Sequence, residues 1–199
     1  MPHAELMNPP RFSILYADPP WQFKRRSSFA QAHSFKSQPT GRITPYPTMN
    51  TEAICALNVE ALAEADCVLL LWATYPMLPD ALHVTSAWGF RFKTVAFTWV
   101  KRTRSDLGFH FGMGYWTRAN PELCLLATRG HPRRHSAKVP NLIIAPVRDH
   151  SRKPDEVRER IITLCGDLPR AELFARETTP GWSTWGNELE SDFMLPQST

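Results

Sequence analysis

Asp18-Pro19-Pro20-Trp21 is the stretch of this sequence whose residue types most directly suggest chemistry. It follows an apolar run, Phe12 to Ala17, that reads as a buried strand. A strand ending this way puts a carboxylate, two rigid carbonyls and a flat ring at one edge of a sheet. The carboxylate and a carbonyl can accept hydrogen bonds from the exocyclic amine of a purine, and the ring can stack on the base. Prolines fix φ and remove donors, so the loop offers chiefly acceptors. The plain alternative is a strand-ending turn, since Asp and Pro are common turn residues.

Four other stretches could carry chemistry. Lys101, Arg102 and Arg104 lead into Gly108 to Trp116, a run of glycines, aromatics and a histidine. Cations neutralise phosphates and rings such as Trp116 stack on bases, which suits nucleic acid; a surface loop with buried rings is the alternative. Arg152 and Lys153 precede Pro154-Asp155-Glu156 at an expected helix start, where a cation opposes the helix dipole. They could meet a phosphate or a cofactor carboxylate, or simply face solvent. Glu172-Leu173-Phe174-Ala175-Arg176 closes an expected strand, and strand ends of open α/β sheets are where ligands bind. Asn187 and Glu188 follow and could bond ribose hydroxyls, or belong to a packed tail. Tyr46-Pro47-Thr48-Met49 reads as a proline turn.

The seven histidines lack metal-ligand spacing, so no metal site is expected. There is no P-loop, no Gly-x-Gly-x-x-Gly and no Gly-x-Ser-x-Gly. That argues against a nucleotide cofactor held by a glycine-rich phosphate loop. Adenosylmethionine, which has no phosphate, stays open.

The elements that must position these residues alternate. Strands are expected at 12–17, 67–72, 92–100, 122–128, 142–145 and 171–175. Helices are expected from a Thr51 cap to Ala65, from Tyr75 to Trp88 ahead of Gly89, and from Pro154 to Cys165-Gly166. Alternation of this kind argues for an α/β fold with a mostly parallel sheet. A single domain over 1–199 is expected, with a loose arm at 1–10 and irregular, basic and aromatic chain at 101–119. The polar stretch 22–47 is expected to be a mobile substrate lid or a disordered insertion.

With 199 residues, 43% hydrophobic and 21% charged, the chain has the composition of a globular domain with a sizeable core. A net charge of +4 fits a polyanion partner without requiring one. The four scattered cysteines read as reduced residues. No apolar stretch is long enough to span a bilayer, and the polar, proline-rich start does not read as a signal peptide, so a cytoplasmic protein is expected.

Taken in order, the pieces resemble the MT-A70 (methyltransferase-like) family of adenine-N6 methyltransferases. The resemblance rests on Ala17-Asp18-Pro19-Pro20-Trp21, Tyr46-Pro47-Thr48-Met49, Leu71-Trp72, Trp99-Val100-Lys101, Glu122-Leu123-Cys124-Leu125, Ser151 to Glu156, Glu172 to Arg176 and Trp185-Gly186-Asn187-Glu188-Leu189. It implies a Rossmann-like class I methyltransferase fold with the catalytic motif N-terminal to the cofactor motif, and S-adenosylmethionine as methyl donor. It assigns Asp18, Pro19, Pro20 and Trp21 to the target amine, with Asp18 also against the methionine end of the cofactor. Lys153 would touch cofactor and target, Phe174 and Arg176 the cofactor adenosine, and Asn187 and Glu188 its ribose. Tyr46, Lys101, Arg102, Arg104 and Trp116 are the expected nucleic-acid contacts. Relatives often carry Gly where this chain has Ala175, and His-Asn near Thr178-Thr179, which bears on the adenosine contacts. A compact member without added RNA-binding modules suggests DNA as substrate, with RNA as runner-up and a catalytically inactive paralogue behind both.

Overall fold

The computed structural model describes residues 10–22, 47–114, 116–148 and 152–196. The first strand, β1 (Phe12–Ala17), pairs in parallel with β2 (Ala63–Ala73) on one side and β6 (Arg170–Leu173) on the other. β4 (Glu122–Arg129) follows β2, then β3 (Arg91–Arg102) and β5 (Leu142–Pro146); β7 (Ser183–Trp185) extends the opposite end. The order is β5-β3-β4-β2-β1-β6-β7. Only β4 pairs antiparallel, to β2 and to β3, so the other six strands run one way. This is the mostly parallel, Rossmann-like sheet expected from the sequence.

Central strands buried on both faces read as continuous apolar runs. β1 and β2 show the consequence of side-chain alternation. Leu15, Ala17, Leu69 and Leu71 face a core closed by Ile54 of α1 (Thr51–Cys55) and Ala81 and Val84 of α2 (Leu78–Ala87). Ile14, Tyr16, Leu70 and Trp72 face a second core closed by α3 (Glu156–Cys165). The α3 stripe is Val157, Ile161 and Cys165, four residues apart, and the helix stops at Gly166, whose φ of 97° suits glycine.

Several boundaries differ from expectation. The helix expected to reach Ala65 ends at Cys55, followed by a 3-10 turn at Glu60–Leu62 and an early start of β2. Tertiary contacts decide this: the indole of Trp88 donates to the Ile54 carbonyl (2.9 Å), and Val59 and Leu62 are fully buried. Asn50 rather than Thr51 caps α1, accepting from the Ala53 amide, while the Thr51 hydroxyl donates to Asp80. β3 runs on through Lys101 and Arg102, which were expected to begin the irregular segment. β7 was not expected as a strand. The arm at 1–10 and the lid at 22–47 fall almost wholly outside the described residues.

Candidate active site

The C-terminal ends of the six parallel strands share one edge of the sheet with the start of the reversed strand, β4. Asp18 leaves β1 there, one residue beyond Ala17, which is in register with Leu71 and Leu173. Lys153, ahead of α3, crosses to Asp18 and donates to Oδ2 at 2.6 Å. Its Nζ also lies 3.3 Å from Glu122 Oε2, and the other Glu122 oxygen is 2.5 Å from Lys101 Nζ. Acid and base thus alternate, Asp18–Lys153–Glu122–Lys101, with formal charges that cancel. Two indoles wall the row: Lys153 Nζ is 5.4 Å from the Trp72 ring and Lys101 Nζ 5.3 Å from Trp99.

Burial alone would push Lys153 toward neutrality. The charges of Asp18 and Glu122 outweigh it and hold the ammonium above the usual lysine range. Burial likewise pushes Glu122 up, but Lys153 and Lys101 win and keep its carboxyl below the usual range. Beneath them, burial raises the Tyr16 phenol and the Cys124 thiol, so both stay neutral. Tyr16 accepts a hydrogen bond from the Trp72 indole at 2.7 Å.

A second buried pair sets the start of α3. Arg158 grips Glu172 of β6 through two hydrogen bonds, 2.7 and 2.9 Å, tying helix to sheet just downstream of Lys153. Arg148 and Arg152 both donate to Asp155, at 2.6 and 3.0 Å.

The tetrapeptide is more structural than its sequence suggests. Trp21 is only 7% exposed, packs into the first core and donates from its indole to the Trp72 carbonyl at 3.0 Å. That corrects the expectation that it offers a stacking face to a base. Pro19 is buried, and its carbonyl accepts the Trp21 amide at 2.8 Å, which leaves one lone pair for a ligand. The Pro20 carbonyl accepts the Met49 amide, pinning the loop to the segment before α1.

At the neighbouring strand ends the second half of the site forms. Phe174 leaves β6 level with Asp18 leaving β1, each one residue past the paired Ala17 and Leu173. It has a φ of 61°, unusual for an aromatic residue, and meets Trp185 edge-on with centroids 5.4 Å apart. A Cβ on Gly186 would lie 1.9 Å from the Ala175 carbonyl, so only glycine permits the turn after β7. Asn187 and Glu188 follow that turn, exposed, with Glu188 Oε1 3.8 Å from Arg176 Nε. At the end of β2, the buried Thr74 hydroxyl has no hydrogen-bond partner among the described residues.

The expected nucleic-acid contacts divide. Lys101 is half-buried with its ammonium held by Glu122, which does not fit the expected phosphate contact. Arg102 pairs with Asp106 at 2.7 Å and lies over the Phe109 ring. Arg104 is exposed and lines a cleft of about 320 Å³ with Val147, Arg148 and Arg152. Trp116 is 94% exposed, at a φ of 72°. Tyr46 lies outside the described residues. Sequence reasoning gave no role to Glu122, Trp72 or Asn120. Glu122 had one available signal, an acid opening an otherwise apolar strand. Asn120 accepts from the Lys101 amide and donates to its carbonyl, which nothing in its sequence neighbours announces.

The sequence that builds this edge has known relatives. A family model described as MT-A70 matches residues 12–188. The chain belongs to the MT-A70 family, and so to a family of methyltransferases. It is 29% identical over 190 residues to the Type II methyltransferase M.MunI of Mycoplasma sp, a match covering 90% of this chain and 78% of that protein. It is 28% identical over 189 residues to the human N(6)-adenosine-methyltransferase catalytic subunit METTL3, covering 93% of this chain and 29% of that one. A Probable N(6)-adenosine-methyltransferase MT-A70-like protein of rice is 29% identical over 182 residues, covering 90% of this chain and 23% of the relative. The chain thus spans about a quarter of the eukaryotic relatives' length. Among the described residues no helix is long and apolar enough to cross a membrane, and no His, Cys, Asp and Glu group could hold a metal ion.

Proposed function

We propose that this single methyltransferase domain transfers a methyl group from S-adenosylmethionine to the exocyclic amine of adenine in DNA. The observation that carries the reading is the placement of Asp18, clamped by Lys153, beside the Phe174 exit of β6. The edge around it fits the cofactor's chemistry. Asp18 suits a cationic sulfonium or amine, Phe174 a purine face, Asn187 and Glu188 a ribose diol, and the unpartnered Thr74 hydroxyl a polar group. Bound there, the cofactor supplies an electrophilic methyl on a cationic sulfur.

The chain's residues would do the rest. An adenine amine is a poor nucleophile because its lone pair is delocalised into the ring. Asp18 and the remaining lone pair of the Pro19 carbonyl accept its two hydrogens and aim the nitrogen. Lys153 fixes the carboxylate, and Glu122 keeps Lys153 charged and in place when Asp18 turns to the substrate. Positive charge developing on nitrogen is met by Asp18, which is also placed to take the proton released after transfer. Orientation of this quality can remove about 7–11 kcal/mol of barrier. Trp116 offers its open ring to the base, and Arg104, Arg148 and Arg152 offer guanidinium groups to the phosphates.

DNA is preferred because the match takes in most of the Mycoplasma Type II methyltransferase but about a quarter of the eukaryotic N(6)-adenosine-methyltransferases. RNA is the second reading, favoured by the N(6)-adenosine chemistry those relatives are named for. Nucleoside mass spectrometry after incubation with donor and matched DNA and RNA oligomers tests both. N6-methyladenine in DNA is expected; the mark in RNA alone would overturn the DNA assignment, and no methylated adenine in either would overturn the activity.

A further inference from the structure

Between β3 and β4 the chain makes two tight turns that carry exposed apolar side chains. Leu107 is 87% and Met113 92% exposed, and Phe109 and Phe111 are also open to solvent. Single exposed apolar residues are ordinary, but four within seven residues need a partner. The turns are firmly built. The Thr103 amide donates to the Gly108 carbonyl (2.8 Å), His110 to Lys101 (2.9 Å) and Gly112 to Ala119 (2.8 Å). Arg118 ties down the Phe111 and Gly112 carbonyls at 2.7 and 2.9 Å. A Cβ on Gly114 would lie 1.8 Å from the Thr117 carbonyl, so the second turn closes as tightly as backbone allows.

Of the four cations in residues 101–119, Lys101 is held by Glu122 and Arg102 by Asp106, while Arg104 and Arg118 lie exposed beside the apolar side chains. Exposed apolar side chains beside exposed guanidinium groups suit a polyanion whose interior is apolar, as a stacked duplex is. The base of the turns joins the reaction edge directly. Asn120 bonds the backbone of Lys101 and, through Nδ2, the His110 carbonyl, while the Lys101 side chain holds Glu122.

We propose that Leu107 and Met113 form a wedge that enters the base stack of a nucleic-acid duplex and fills the space left by the extruded adenine. The inference rests on the adenine-methyltransferase reading and adds a duplex substrate and the device that opens it. A paired base must leave the stack to reach Asp18, at a cost of a few kcal/mol, and an inserted side chain offsets part of that cost. Pre-built turns make the insertion cheaper, because little chain entropy is lost.

The test compares the full chain with its Leu107→Ser/Met113→Ser double variant. Three DNA substrates share one sequence: a paired duplex, the same duplex mismatched at the target adenine, and the single strand. The variant is expected to lose tenfold or more in kcat/KM on the paired duplex and to stay within twofold of wild type on the other two. A second arm reads binding alone. A duplex with 2-aminopurine at the target should brighten when wild type binds and brighten far less with the variant. Equal losses on all three substrates, no loss on the paired duplex, unchanged 2-aminopurine response, or a change of oligomeric state in sedimentation would each overturn the wedge. Wild type active only on single strands would also overturn it while leaving the methyltransferase reading intact. Wild type inactive on every substrate would sink that reading, and the 2-aminopurine arm would still decide whether a wedge exists.

Discussion

Asp18 and Lys153 lie 135 residues apart in the chain and meet at 2.6 Å across the C-terminal edge of the sheet. Removing the charge of Asp18 without its shape tests what that contact is for. Asp18→Asn is expected to lower kcat ~10²–10³-fold, the usual cost of losing one preorganised group at a developing charge. Its melting temperature should stay within a few degrees, since Glu122 still partners Lys153. A turnover assay with labelled methyl donor and a thermal melt check both.

Glu122 predicts a pH signature. Its carboxyl lies below the usual range in the folded chain, so it contributes stability above the unfolded-state pKa and loses it as pH falls through the folded value. Lys153 is held high, so its contribution is complete below the ordinary lysine pKa and is lost only as pH rises through the folded value. The two windows overlap around neutrality. Glu122→Gln should therefore melt well below wild type near pH 7, with the gap closing as the solution is acidified below pH ~4, the ordinary glutamate range. Glu172 carries the opposite sign: burial outweighs Arg158 and holds it high, so it does not produce this acid-side loss.

Trp21 separates support from contact. Trp21→Phe keeps a ring but strands the Trp72 carbonyl, which should cost ~1–2 kcal/mol of stability. Its kcat/KM at a temperature where both proteins are folded should change little. A large loss of turnover with an unchanged melt would instead make Trp21 a substrate contact.

Gly186→Ala should fail for a steric reason. The new methyl would meet the Ala175 carbonyl at 1.9 Å, displacing the turn that carries Asn187 and Glu188. Calorimetric titration should show weakened cofactor affinity, and the melt should fall by an overpacking cost of ~1–3 kcal/mol.

The arginines of the 320 Å³ cleft predict a salt effect. Arg104→Ala should reduce the slope of log affinity against log salt by about 1 if it meets one phosphate. Replacing Arg148 or Arg152 would in addition release Asp155 at the start of α3.

The strands and the edge they share were readable because apolar runs and strand-end motifs are local. Asp18, Lys153 and Phe174 were located from motifs, and the sheet brings them to one edge. What sequence could not show is which polar groups are already spoken for. Trp21 and Lys101 look like ligand contacts by type, yet one is bonded to Trp72 and the other to Glu122. Those partners sit 51 and 21 residues away, and only the sheet brings them close. The shortened first helix failed for the same reason, because a distant indole took the Ile54 carbonyl.

The reversed direction of β4 has an engineering consequence. Strands such as β1 and β6 reach this edge at their C-terminal ends, so their exits can vary without disturbing what lies upstream. β4 instead receives Glu122 straight from the outer turns, two residues past Asn120. Exchanging residues 101–119 between relatives would therefore also shift Glu122 and its contacts to Lys153 and Lys101. Donor and recipient segments should be exchanged through Glu122 as a single cassette.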